Sequence, residues 1–301
     1  MAHAAVSRLA PVAEGHLVAE RHAQRTAAAH RDRYFWGEVA TVAVLTASGL
    51  LSPTGAGPFY AALLIGFAGI AAAVLAAAGL VTLAAVAAPA RLQGPRRRPA
   101  LIARGVRDTA VAAFVAAALL AWPLARMRVG LPTGLTWSLA RAGGGLALTC
   151  QMLAALLVLD AWLYWKHRLL HTRLLFGFHR AHHVYRDPTA FAGFAVGPLE
   201  ALLTFWPIVI LAFPQAPHYA PVYFGLVVAL ILLNLYLHCG VAVWLIEATL
   251  PRLFINTSAY HNRHHANADT NFAEALTVWD RLLGTHEGAK RPGGAARRSD
   301  V

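Results

Sequence analysis

Long apolar runs alternate with short polar stretches that carry proline, glycine or arginine. The runs fall at roughly 35–51, 59–88, 108–125, 143–165, 199–213 and 220–238. A helix needs about 20 residues to cross the hydrocarbon core, or about 17 untilted. The second and fourth runs reach that length outright. The first and fifth are short, so each is expected to be re-entrant or to pair with its neighbour. Pro53, Thr54 and Gly55 separate the first two runs, and Pro214 with Pro217 the last two, as turn-forming residues do. The pattern therefore predicts an all-α integral membrane protein built from three helical hairpins. It also divides the chain into a polar N-terminal segment (1–34), membrane helices poor in histidine (35–142), a histidine-bearing region (143–287) and a disordered Gly-, Ala- and Arg-rich tail (288–301).

Composition agrees. Of the 301 residues 58% are hydrophobic and only 13% charged, about half the share usual for a soluble domain. The net charge of +12 raises the question of nucleic acid. The arginines lie beside apolar runs, however, so orientation in a bilayer explains them and no nucleic-acid partner is expected. Arg91, Arg96, Arg97, Arg98, Arg104 and Arg107 follow the second run, and Arg8, Arg21, Arg25, Arg31 and Arg33 precede the first. By the positive-inside rule both segments face the cytoplasm, which puts the ends of the fourth and sixth runs there too. Alanine and arginine are abundant, and lysine occurs only at Lys166 and Lys290. This bias resembles GC-rich coding and gives a bacterial inner membrane as the expected location. Residues 1–33 lack the apolar core of a signal peptide, so the first spanning helix is expected to do the targeting.

Cys150 and Cys239 have unlike surroundings and suggest neither a disulfide nor a thiolate site. The chemistry lies in histidines. His167 and His171 are four apart, followed by His179-x-x-His182-His183, His238 and His261-x-x-His264-His265. Residues three and four apart share a helix face, so the pair, and each triplet as a unit, are expected to project together. Two such triplets arise by chance on the order of once in a thousand chains of this composition. Neutral imidazole suits Zn, Cu, Fe or Ni. Nine imidazoles exceed the four of a structural zinc and fit two ions with four or five ligands each. The scattered His3, His16, His22 and His30 are expected to be solvated, and His218 to lie on the opposite face. A liganding imidazole needs a partner for its other nitrogen. Asp160, one heptad before His167, is the leading candidate, with Asp280 and Glu200 behind it. His286 is a candidate for substrate access.

These residues carry a resemblance. Asp160-Ala-Trp-Leu-Tyr-Trp-Lys-His-Arg-Leu-Leu-His171 and Phe178-His-Arg-Ala-His-His183 resemble the first two histidine boxes of the fatty acid hydroxylase and sterol desaturase superfamily. Pro188 to Glu200 is similar to the stretch that follows in sterol C-5 desaturases (lathosterol oxidases). His261-Asn-Arg-His-His265 through Trp279-Asp-Arg-Leu-Leu-Gly-Thr285 is similar to the closing signature. The resemblance implies a non-haem di-iron oxidoreductase that uses O₂ to hydroxylate or desaturate a lipid. Its ligands would be His167, His171, His179, His182, His183, His238, His261, His264 and His265, in a helical cap on the cytoplasmic face. Where many members have His-Pro before the acidic residue, this chain has Gly197-Pro198, and Phe194 stands where sterol desaturases are often polar; both depart from a sterol assignment. Carotenoid hydroxylases and acyl-lipid desaturases use similar boxes, and a membrane metal-binding or transport protein is the alternative of another class. No flavin or haem module is evident, so electrons are expected from a cytochrome b5-like protein or a ferredoxin with its reductase. Lys166, Arg168, Arg173, Arg180 and Arg186 would form a basic surface for it. Phe191, Phe194 and Phe205 either line a substrate route or simply pack.

Overall fold

The computed structural model describes residues 34–88, 91–92, 99–215 and 217–288. The expected polar N-terminal segment, its four histidines and the tail beyond 288 lie outside the described residues.

Among the described residues five helices are long and apolar enough to cross a membrane: α1 (Tyr34–Leu51), α2 (Ala56–Ala87), α3 (Pro99–Arg128), α4 (Gly144–Leu170) and α7 (Ala220–Leu237). The short elements α5 (Phe176–His183), α6 (Pro198–Phe205), α8 (Trp244–Thr249), α9 (Ser258–Ala266) and α10 (Val278–Leu282) fill the intervals. The protein is an all-α integral membrane protein.

The fifth apolar run is not one helix. Its α-helical half, α6, passes into a 3-10 segment at Trp206–Ala212, because Pro207 has no N–H to continue the α-helical ladder. The 3-10 form rises faster per residue, so the two halves together reach about 26 Å. This is nearly the thickness of the hydrocarbon core.

Contacts sort the helix ends into two sets. At one end the Gly134 N–H donates to Leu211 O at 2.8 Å, and Leu135–Thr136 (β1) pairs in parallel with His218–Tyr219 (β2). His218 therefore sits away from the other histidines. At the opposite end Leu92 N–H donates to Gly240 O at 3.1 Å and Thr109 Oγ1 to Phe191 O at 2.9 Å. The turn after α1, the 129–143 loop and residues 213–215 thus lie at the far end. Arg91 and Leu92, which follow α2, share the histidine end. The chain runs as three hairpins.

Packing follows side-chain size. α3 is the most buried helix and presents Ala112, Val115, Ala118, Leu119 and Ala125 to Leu45, Phe59, Ala62 and Leu63 of α1 and α2. Small side chains let membrane helices approach closely where no hydrophobic force distinguishes protein from lipid. Gly49 serves the same end, since a Cβ there would overlap the Phe59 ring. By contrast, only 11% of the spanning window of α4 is buried. It joins the body through its last three turns, where Trp162 Nε1 donates to Leu203 O at 2.7 Å. Those turns carry the first histidines.

Candidate metal centre

Four elements converge at the histidine end. The last turn of α4 brings His167 and His171, α5 brings His179, His182 and His183, the end of α7 brings His238, and α9 brings His261, His264 and His265. All nine expected histidines meet there, and they divide. His167, His171, His179, His183 and His264 form one group and His182, His238, His261 and His265 another, each with its nitrogens within 4.8 Å of one another. Both groups could hold a metal ion.

The division corrects the expectation that each triplet projects as a unit. His179 with His183, and His261 with His265, are four apart and stay together. His182 and His264, at the third position, cross to the other group. At about 100° per residue, neighbours such as His182 and His183 point apart, so a three-residue and a four-residue step straddle the helix face. Each triplet bridges both groups.

Spacing and hydrogen bonding fit a cation at each group. Nitrogens about 2.1 Å from a shared ion lie roughly 3.0–3.4 Å apart in octahedral or tetrahedral arrangement. His183 Nε2 lies 3.1 Å from His171 Nε2 and His179 Nε2 and 3.3 Å from His264 Nε2. In the second group His238 Nε2 lies 3.3 Å from His182 Nε2 and 3.0 Å from His261 Nε2. Four rings have their tautomer fixed from outside. His167 Nδ1 donates to Phe272 O at 2.8 Å, His264 Nδ1 to Thr270 O at 2.7 Å, His238 Nδ1 to Asn234 O at 2.9 Å and His179 Nδ1 to the Glu200 carboxylate at 2.8 Å. These acceptors carry no proton, so Nδ1 supplies it and Nε2 is the nitrogen that each ring turns inward as a possible ligand atom. His167 Nε2 and both nitrogens of His265 are buried without a hydrogen-bond partner. Converging lone pairs repel unless a cation lies between them.

Electrostatics favour the neutral form of most of these rings. Burial first, then neighbouring imidazoles, holds His171, His182, His183, His261 and His265 well below the ordinary histidine range. Burial is also the main cause for His264, lowered to about 3, and His238, lowered to about 4. Neutral imidazole is the form that binds metal.

The supporting carboxylates differ from expectation. Asp160 does not reach an imidazole: it accepts the Leu276 N–H and the Trp279 indole N–H, both at 2.8 Å, and so ties α4 to the closing segment. Glu200, ranked below it, is the direct partner, since its place at the start of α6 faces α5. Asp280 is fully buried and accepts from Phe272 N, Ala273 N and Tyr260 Oη at 2.9 Å and from Thr285 Oγ1 at 2.6 Å. It fixes the 270–273 stretch, whose carbonyls orient His264 and His167. Asn271 adopts a left-handed φ of 60° there and accepts the Glu287 N–H at 2.8 Å.

Other expectations need correction. Lys166 is not part of a basic surface: it is buried, 2.7 Å from Glu274 Oε1, and donates to Thr204 Oγ1 at 3.1 Å. Its place on the α4 face that packs on α6 explains this. Arg168, Arg173, Arg180 and Arg186 remain accessible. Phe191 and Phe194 pack with Ala78, Ala190, Leu235 and Ile231, and Phe205 packs in the α1–α3 core, so all three serve packing. His286 Nδ1 donates to Glu287 O at 2.8 Å, and the residue lies outside both groups. Sequence reasoning missed Glu38, Asn256 and Glu274. Glu38 did carry a signal, as an acid within an apolar run.

Residues 152–285, which carry all nine histidines, match the family model for fatty acid hydroxylase. Lathosterol oxidase of Rattus norvegicus is 34% identical over 146 residues, covering 47% of this chain and 46% of that protein. A very-long-chain aldehyde decarbonylase of Oryza sativa subsp. indica is 34% identical over 144 residues, covering 45% and 54%. Sphinganine C4-monooxygenase 1 of Arabidopsis thaliana is 32% identical over 149 residues, covering 47% and 55%. The chain thus spans about half the length of the relatives it matches. No solved structure matches it.

Proposed function

We propose that the protein is a membrane oxidoreductase that uses O₂ and external electrons to hydroxylate or desaturate a lipid at a pair of non-haem irons. The observation that carries the reading is the division of nine converging imidazoles into groups of five and four. The relatives' names, which include an oxidase and a monooxygenase acting on lipids, supply the substrate class. His167, His171, His179, His183 and His264 would hold one iron, and His182, His238, His261 and His265 the other. Irons held there would supply O₂ activation and the one-electron steps that attack an unactivated C–H bond.

The chain's own residues do the rest. Glu200 and the carbonyls of Phe272, Thr270 and Asn234 hold the Nδ1 protons, which presents Nε2 as the ligand atom and keeps the rings from turning. Glu200 is the only carboxylate bonded to an imidazole of the two groups among the described residues, so the ions would retain most of their charge. Hydroxylation consumes O₂, two electrons and two protons per C–H bond and releases one water. Desaturation removes two hydrogens and releases two waters. The electrons would come from an acidic carrier docking on Arg168, Arg173, Arg180 and Arg186. These share the end at which Arg91 lies, and a concentration of arginine at that end supports a cytoplasmic site.

A metal transporter would place ligands on broken helices near the bilayer midplane; here they gather where the spanning helices end. The test is to reconstitute the iron-loaded protein in lipid nanodiscs with a chemical reductant. The expected result is O₂ uptake matched by a hydroxylated or desaturated lipid in the mass spectrum. Metal passage across vesicles with no oxidised lipid would contradict the proposal.

A further inference from the structure

Helix α6 starts without a cap of its own. Its N-cap is Gly197, which has no side chain to accept the first free N–H groups, and Pro198 follows at the first helical position. The sequence Gly197-Pro198-Leu199-Glu200 has the spacing of a capping box, with the capping side chain missing and Glu200 turned to His179 instead. The missing acceptor comes from α1. Glu38 Oε2 accepts the Leu199 N–H at 2.8 Å across 161 residues of sequence. Leu199 is the second helical residue, whose N–H an N-cap side chain ordinarily binds.

Backbone conformation does not explain the glycine. Gly197 has φ −71° and ψ 162°, which any L-residue adopts. Space does: a Cβ at Gly197 would run into the Glu38 carboxylate, 3.0 Å from its Cδ. A residue with a side chain at this position would displace Glu38.

We propose that Glu38 and Gly197 form a split N-cap, in which Glu38 acts as a positioning residue that sets α6, and through Glu200 the His179 ring, from the first membrane helix. The inference rests on the reading of the histidines as iron ligands. It makes the loss of a side chain at residue 197 and the acid at residue 38 two halves of one device.

The test is a four-protein cycle on the full chain in detergent, titrated anaerobically with ferrous ion against a competing chelator, with melting temperatures alongside. Glu38→Ala is expected to weaken iron retention roughly fivefold, the factor of a lost N-cap. Glu38→Gln should retain most of the affinity, because its amide oxygen still accepts. Gly197→Asn alone is also expected to weaken iron binding, because the displaced Glu38 carboxylate stays crowded against the new cap without the N–H it accepts. The double variant Glu38→Ala/Gly197→Asn should recover toward the parent, because Asn caps from within. Losses that add in the double variant, or a Glu38→Gln protein as weak as Glu38→Ala, would overturn the split cap. If Glu38→Ala fails to fold, recovery of folding in the double variant decides in the same way. A parent that holds no iron would defeat the metal reading alone, and the order of melting temperatures would still test the cap.

Discussion

His179 and Glu200 meet at 2.8 Å, Nδ1 to Oε2, with both side chains nearly fully buried. The contact joins α5 to α6 and is the one hydrogen bond between a carboxylate and an imidazole of either group among the described residues; Glu274 Oε1 stands farther off, 3.9 Å from His167 Nδ1. Removing the charge by Glu200→Gln leaves the shape intact. Iron affinity of the five-histidine group is expected to fall by about 10–100-fold, read by chelator competition. An unchanged affinity would show that His179 is oriented by other means.

The division into five and four gives each histidine a distinct consequence. His183→Ala and His264→Ala should lower only the first iron, and His261→Ala and His265→Ala only the second. Each variant is then expected to retain about one iron instead of two, measured as metal per chain. Loss of both ions from every variant would show one coupled site rather than two.

Asp280 is expected to matter for stability as much as for activity. Four donors end on its carboxylate, and each one left buried without an acceptor costs about 1–3 kcal/mol. Asp280→Ala should therefore destabilise the protein by about 3 kcal/mol or more and release metal from His167 and His264. Thermal unfolding with and without added iron measures both. A loss under about 1 kcal/mol would mean that water replaces the carboxylate.

Acid should unfold the metal-free protein early. A histidine held neutral in the fold has its pKa lowered relative to the unfolded chain, where it is about 6.5. Above that value neither state is protonated and nothing is lost. As pH falls through about 6.5 the unfolded chain takes up protons first, so stability drops. For His264 and His238 the decline continues to about 3 and about 4, their values in the fold. Melting temperature against pH in chelator is expected to fall steeply from about 6.5 downward, with bound iron protecting at the upper end of that window. A flat profile between pH 7 and 5 would contradict neutral buried rings.

The histidine set was legible because helix geometry sits in the spacing: His167 with His171, and His179 with His183, are read directly as shared faces. The crossing of His182 and His264 was legible in principle, since neighbouring helical residues point about 100° apart; grouping each triplet as a unit hid it. The hairpins could be read from apolar length and proline. That Trp206-Pro207 would turn the fifth run into a 3-10 segment could not, because proline alone does not say whether a helix ends, kinks or tightens. The supporting carboxylates were the least legible. Asp160 sits on the right face of α4, but whether it meets a ring or the Leu276–Trp279 loop depends on how a segment over a hundred residues away folds back. The burial of Lys166 depends likewise on Thr204 and Glu274, which no local pattern links to it.

Metal analysis of the parent protein, purified without added metal-chelating agents and then loaded anaerobically with ferrous ion, tests the central claim most directly. About two irons per chain are expected, lost together on acidification and accompanied by O₂ consumption when reduced. A protein that holds no iron, holds a single ion, or binds two ions yet consumes no O₂ on reduction would contradict it.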